Sequence, residues 1–127
     1  MAPGSYARAE VYKINISEDS LLTIIDEFKK ENPEFNIKEV EVLDGKDKHW
    51  NYRYFYYPDK NLKLMTYVRG GLTKSELTSF AFVRTSPGLT LGNWTDVNDS
   101  FWWWKNSSEK EEFERRILNP IKEKINN

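Results

Sequence analysis

Cysteine is absent from the 127-residue chain, and histidine occurs once, as His49. The first absence excludes a disulfide framework, a thiol nucleophile and a cysteine-based zinc site, and the second excludes a centre with several histidine ligands. No apolar run approaches the roughly 20 residues of a membrane-spanning helix, and no signal peptide is visible. Glycine-rich phosphate loops and EF-hand spacing are missing too. We therefore expect no cofactor, no metal site and no catalytic residues.

The chain also lacks an excess of positive or negative charge. Nineteen Lys and Arg residues balance 20 Asp and Glu residues, which gives a net charge of −1. This balance argues against a general nucleic-acid binder, whose affinity depends on basic charge. The length predicts one domain, spanning 6–127, and residues 1–5 (Met-Ala-Pro-Gly-Ser) resemble a start added for expression or a disordered N-terminus.

Aromatic residues are what the chain has in excess, at 15% of its length with five tryptophans. Most of them fall between Trp50 and Trp104. Tyrosine and tryptophan combine an apolar body with a polar tip, which suits interfaces. A functional site is therefore expected in that region.

Local patterns predict a first strand over 6–15 and a helix that Ser17 caps. The helix should carry an apolar stripe and end at Asn32-Pro33, because a residue before proline avoids helical geometry. Further strands are predicted over 36–43, 49–57, 62–69 and 77–85, with a turn at 44–47 and a hairpin loop at 58–61.

Residues 89–107 are expected to be irregular, and a last helix to begin near Ser108, where Ser108 and Glu111 match a capping box. Pro120 should kink or split this helix. The resulting order, β-α-β-β-β-β-α, predicts an α+β fold: an antiparallel meander sheet of about five strands with two helices, both on one face of the sheet.

A register proposed for the central hairpins sorts the side chains into two faces. It pairs Tyr57 with Leu62 across the first hairpin, and Met65 with Phe82 across the second. One predicted face is mostly aliphatic and suits the helices: Phe55, Leu62, Leu64, Val68, Ala81 and Val83. The other is aromatic, with Tyr56, Lys63, Arg69 and Arg84 around it: Trp50, Tyr52, Tyr54, Met65, Tyr67, Phe80 and Phe82.

Three alternatives remain open for the aromatic set. Residues 89–104 could fold over it, the helices could cover it, or it could be an exposed recognition surface. Three consecutive tryptophans in an extended chain cannot all point into one core. The candidate partner- or ligand-binding residues are therefore Trp50, Tyr52, Tyr54, Tyr67, Trp102, Trp103 and Trp104.

Four segments of the sequence are relevant to its family: Phe55-Tyr56-Tyr57-Pro58, Phe80-Ala81-Phe82-Val83, Leu91-Gly92-Asn93-Trp94 and the run from Phe113 to Asn119. In these segments the chain resembles small uncharacterised lipoprotein-type domains of bacterial cell envelopes. The resemblance implies a periplasmic or envelope location and no particular activity. No lipobox cysteine is present.

Two binding functions are compatible with these observations, and an enzyme with an unrecognised site is a third alternative. The first is a non-catalytic binding module with a protein partner in the bacterial envelope, for which an immunity-protein-like antagonist is one form. The alternative is binding of a glycan or a small apolar ligand through the aromatic sheet face and the tryptophan triplet. His49 and the acidic pairs are interpreted as structural, since no nucleophile or metal-ligand pattern accompanies them. Neither a nucleic-acid partner nor a membrane span is expected.

Overall fold

A computed structural model describes residues 9–36, 45–47, 50–71, 77–87, 95–96 and 103–126. The strands are β1 (Glu10–Ile14), β2 (Gly45–Asp47), β3 (Trp50–Tyr57), β4 (Leu62–Arg69), β5 (Thr78–Pro87) and β6 (Thr95–Asp96). The helices are α1 (Glu18–Glu31), α2 (Trp103–Phe113) and α3 (Asn119–Asn126), with a 3-10 turn at Pro33–Phe35 and a π-helical segment at Glu114–Leu118. The predicted α+β class with an antiparallel sheet is confirmed.

The strands form one sheet in the order β1-β5-β4-β3-β2, and β6 also pairs with β5. Every neighbouring pair is antiparallel. The order of elements along the chain differs from the predicted β-α-β-β-β-β-α, because β6 is an additional strand and the C-terminal helix is divided. The sheet is not a simple meander either, since β1 lies beside β5 rather than beside the next strand in the chain.

The β3–β4 hairpin has the predicted register, with Tyr57 opposite Leu62 and Tyr54 opposite Met65. The predicted β4–β5 register is wrong. Met65 lies opposite Arg84, and the pairing shifts after it so that Thr66 lies opposite Phe82. A bulge of this kind adds one residue to a strand, and a one-residue shift exchanges the two faces.

Phe80 and Phe82 therefore lie on the helix side of the sheet, and Ala81 and Val83 lie on the opposite side. The faces predicted for these four residues are wrong. On the helix side, the ring of Phe113 stacks on Phe82 with centroids 4.7 Å apart and is tilted against Phe80 at 5.6 Å. The large phenylalanines thus pack beneath the C-terminal helix, and the smaller residues lie on the other face.

Both helical segments pack on the same face of the sheet, as predicted. One core contains Leu21, Ile25 and Phe28 from α1 together with Phe113, Ile117 and Ile121 from the C-terminal segment. Ser17 caps α1, because its side-chain oxygen accepts a hydrogen bond from the Ser20 amide at 3.2 Å. Burial of two amphipathic helices against one apolar sheet face is the main stabilising contribution expected for this architecture.

The C-terminal helix begins at Trp103, not near Ser108. The capping-box prediction is therefore wrong: Ser108 lies inside the helix. Near Pro120 the helix changes type, and the Asn119 amide donates to the Glu114 carbonyl across five residues. Proline lacks an amide hydrogen and its ring crowds the preceding turn, which explains the wider turn just before it.

Gly45–Asp47 form β2 although a turn is predicted there. The strand predicted over 36–43 falls almost wholly outside the described residues, as do His49 and Trp94.

Candidate binding site on the aromatic sheet face

Three rings, those of Trp50, Tyr52 and Tyr54, occupy alternate positions of β3 on the sheet face that points away from the helices. All three are half-buried. They pack against a buried cluster of Met65, Tyr67, Ala81 and Val83, and we call these seven residues the aromatic face. The strand alternation that buries Phe55 under the helices also places Tyr52 and Tyr54 on this side.

The predicted site residues are only partly brought together. Tyr67 lies on the aromatic face but is only 7% exposed, so the expectation that it could be an exposed ring is corrected. Trp102 lies outside the described residues. Trp103 and Trp104 belong to α2, and their side chains are outside the described part of the chain. The argument from an extended tryptophan triplet therefore does not apply to these two residues.

Trp50 forms the centre of a small stacked cluster. Its ring meets Tyr67 edge to face, with centroids 4.7 Å apart and planes at 75°. The guanidinium carbon of Arg69 lies over the Trp50 ring, 4.7 Å from its centroid. Such a cation–π contact holds the planar guanidinium in a fixed orientation.

Arg69 differs from the other half-buried arginines with described contacts. Arg53 binds Asp26 through two nitrogens, at 2.8 and 3.3 Å, and Arg116 binds Asp59 in the same way at 2.8 and 2.7 Å. Among the described residues no carboxylate comes within 4 Å of the Arg69 guanidinium, and its only described contact is the indole. Arg69 thus has a fixed plane and hydrogen-bond donors that no described carboxylate occupies.

Sequence reasoning did not identify the Arg69–Trp50 contact, although a signal for it existed. The predicted β3–β4 register, continued one pair beyond Asn51 and Val68, sets Trp50 beside Arg69. Arg53 faces the opposite side of the sheet from Arg69, because it reaches Asp26 on α1.

Several cationic residues lie at strand positions on this side of the sheet. Lys13 on β1 donates to the Ser79 hydroxyl at 2.7 Å, and Lys63 and Arg69 lie on β4. Lys63 is fully buried, and burial lowers the pKa of its ammonium group. The carboxylates with described side chains lie on the helical segments, on the 58–61 loop and on the helix side of β1, whereas the strand register sets Asp47 opposite Trp50 and Asp96 opposite Arg84 on this face.

A second polar cluster joins the C-terminal helix to the 58–61 loop. The hydrogen bonds from Arg116 hold the pKa of the exposed Asp59 carboxyl below its usual range. Glu112 bridges Arg116 at 3.2 Å and Lys60 at 2.6 Å. The Arg116 guanidinium also lies 4.5 Å from the ring centroid of Tyr57, whose pKa is raised first of all by burial. These contacts fix the helix to the sheet, and we assign them a structural role.

One further surface feature is an open groove along α1, lined by Ile16, Asp19, Ser20, Thr23 and Ile24. The residues that line this groove include one carboxylate, that of Asp19, and no aromatic ring. Within the described ranges, no group of three or more His, Asp or Glu residues could hold a metal ion, and no helix is long and apolar enough to cross a membrane. The aromatic face is therefore the more informative candidate.

Comparison with protein-family models, with curated proteins and with solved structures finds no match. The function is accordingly argued from the geometry of the aromatic face.

Proposed function

We propose that this protein is a non-catalytic binding module that engages a protein partner through the aromatic face. The observation that carries the proposal is the row of half-buried rings at Trp50, Tyr52 and Tyr54 on the sheet face away from the helices. Partly buried rings with polar tips are already held in place, so binding costs little side-chain entropy. Tryptophan, tyrosine and arginine are also the residue types enriched at interface hot spots.

The distribution of perturbed groups favours binding over catalysis. Tyr12 and Tyr57, whose hydroxyl pKa values are raised mainly by burial, contribute to the helix-side core. Lys63 lies on the opposite face of the sheet. An active site gathers such groups in one cleft. Among the described residues, Tyr57, Asp59 and Arg116 form the structural cluster between the C-terminal helix and the 58–61 loop, and Lys63 lies on the other side of the sheet.

The proposed partner is a protein of the bacterial envelope, and an antagonist of the immunity-protein type suits a small rigid domain of this kind. The envelope location follows only from the resemblance of the four segments named above to lipoprotein-type domains.

Binding of a glycan or a small apolar ligand is the second candidate. A sugar stacks on an open ring face, but Arg69 occupies one face of Trp50, and Tyr67 is buried. The groove on α1 offers no ring for stacking. The contacts of Trp50 therefore favour a protein partner.

Site-specific photo-crosslinking tests the proposal. A benzophenone amino acid replaces Tyr54 in one variant and Thr23, an exposed residue of α1, in the matched control. In extracts of the native envelope, we expect a single dominant protein adduct from position 54 and none from position 23. The purified partner should then bind Tyr54→Ala about 30-fold more weakly, as expected for a hot-spot ring worth about 2 kcal/mol.

Equal adducts from both positions would contradict the proposal, as would unchanged partner affinity of Tyr54→Ala. A shift in tryptophan emission on adding oligosaccharides, abolished by Trp50→Phe, would instead support the glycan alternative.

A further inference from the structure

We infer that the hydroxyl of Tyr57 binds an internal water molecule at the π-helical turn of the C-terminal helix, and that this water also donates to the Arg115 carbonyl. The inference is independent of the proposed function, because it concerns the helix side of the sheet. It is carried by a buried hydroxyl that has no hydrogen-bond partner and by a helix carbonyl that has lost its amide donor.

Tyr57 lies at the end of β3 in the helix-side core, and only 2% of its surface is exposed. Its ring meets that of Phe35 edge to face, with centroids 6.4 Å apart. Among the buried side-chain nitrogen and oxygen atoms of the described residues, the Tyr57 hydroxyl is the one without a hydrogen-bond partner. Leaving a buried hydroxyl unpaired costs free energy, and native proteins usually satisfy such a group with a protein atom or an ordered water.

The π-helical turn leaves one backbone carbonyl without its usual donor. In a continuous α-helix the Asn119 amide would donate to the Arg115 carbonyl, one α-helical turn earlier. Here the Asn119 amide donates to the Glu114 carbonyl instead. In the π-helical pattern the donor to Arg115 would be residue 120, but Pro120 has no amide hydrogen. The Arg115 carbonyl therefore receives neither amide.

The surroundings of the hydroxyl suit a water molecule. The Arg116 guanidinium carbon lies 4.5 Å from the ring centroid of Tyr57, and the charges of Glu112, Arg116 and Arg115 act on the hydroxyl, so it lies beneath this turn. An internal water needs a polar site and about two to four hydrogen-bond partners, and the hydroxyl and the Arg115 carbonyl supply a donor and an acceptor. Because Glu112 and Arg116 already pair with each other at 3.2 Å, a neutral molecule suits the site better than an ion. Insertion of water into the hydrogen-bond ladder is also a known cause of helix kinks.

Urea unfolding of Tyr57→Phe tests the inference, because this variant removes the hydroxyl and keeps the ring. Loss of a hydroxyl that is bonded to water should lower the folding equilibrium constant about fivefold, as for one buried hydrogen bond. Removal of an unpaired hydroxyl would leave the constant unchanged or raise it. Tyr56→Phe is the matched control on the same strand. Its hydroxyl donates to Asn61 at the surface, where solvent can replace the partner, so the constant should change less than about twofold.

Restoring the missing amide tests the second partner of the water. Pro120→Ala gives residue 120 an amide hydrogen, so the helix itself can satisfy the Arg115 carbonyl and the water loses an acceptor. In this background Tyr57→Phe should lower the folding equilibrium constant less than about twofold. Pro87→Ala, at the exposed end of β5, is the control and should leave the effect of Tyr57→Phe unchanged. Circular dichroism checks that each variant is folded.

A high-resolution crystal structure of the parent protein provides the direct observation. It should show a water oxygen about 2.7–3.0 Å from both the Tyr57 hydroxyl oxygen and the Arg115 carbonyl oxygen. A protein group in that place, or an ordered hydroxyl without a water, would overturn the inference, as would a Tyr57→Phe variant at least as stable as the parent. An equal effect of Tyr57→Phe with and without Pro120 would overturn the assignment of Arg115 as the second partner.

Discussion

Tyr54 and Phe55 are neighbours on β3 that face opposite sides of the sheet, and they provide a sharp test of what the aromatic face does. Phe55 is 0% exposed and packs in the helix-side core, with its ring 6.4 Å from that of Phe28. Tyr54 is half-buried among the aromatic-face residues. Truncating each to alanine removes a ring from the same strand, so the two variants differ chiefly in burial.

The expected stability losses follow from area. A buried aromatic side chain removes about 200 Å² from water, worth about 5 kcal/mol at 25 cal/mol per Å², which agrees with the 3–5 kcal/mol typical of Phe→Ala in cores. Tyr54 leaves part of its ring exposed, so it removes less area from water, about 150 Å², worth about 4 kcal/mol at the same 25 cal/mol per Å². With about 3–5 °C of melting temperature per kcal/mol for a domain of this size, Phe55→Ala should melt about 3–5 °C below Tyr54→Ala.

Thermal melts followed by circular dichroism, together with urea unfolding, measure the difference. Partner binding should show the opposite order, because Tyr54→Ala loses affinity while any Phe55→Ala protein that remains folded keeps it. If Tyr54→Ala is as destabilised as Phe55→Ala, then Tyr54 is a core residue and the aromatic face is not the binding surface.

Three further outcomes are expected. The Tyr12 hydroxyl donates to Glu114 at 3.0 Å, and burial raises the pKa of Tyr12 above its ordinary value of 10.0. The contribution of Tyr12 to the unfolding free energy should therefore be constant below about pH 10 and fall above it, as the unfolded state loses the phenolic proton. Tyr12→Phe should remove part of the fall in pH-dependent urea titrations, and the remainder is expected from Tyr57, whose pKa burial also raises. Glu18 accepts hydrogen bonds from the Gly70 amide at 2.9 Å and the Asn51 side chain at 3.1 Å, and Glu18→Ala should cost about 1–3 kcal/mol in urea unfolding, where no loss would show that water replaces the carboxylate. Phe113→Ala should lose about 3–5 kcal/mol, whereas Phe113→Leu should retain most of that stability, and equal losses would argue against ring stacking as the source.

The β3–β4 hairpin was predictable to the residue because the 58–61 loop fixes its register. The adjoining β4–β5 pair was not, because the bulge opposite Met65 depends on tertiary packing and leaves no clear local signal. That single shift decided which face carries Phe80 and Phe82.

The helices show the same contrast. The start of α1 follows from a local cap at Ser17, which the sequence displays. The start of α2 does not, because Ser108 and Glu111 form an attractive capping pattern inside a helix that begins at Trp103. Sequence patterning also predicted the aromatic row on β3, whereas the pairing of Arg116 with Asp59 could not be read from residues 57 positions apart.

Ion pairs on the helix side distinguish its charged residues from Arg69. Asp26 and Glu31 of α1 and Asp59 of the 58–61 loop pair with Arg53, Lys124 and Arg116. These pairs satisfy the cations on the helix side, so they do not depend on a partner. Arg69, on the opposite face, has an indole rather than a carboxylate as its described neighbour. The half-buried rings of β3 beside Arg69 are the residues that the proposed function assigns to a partner.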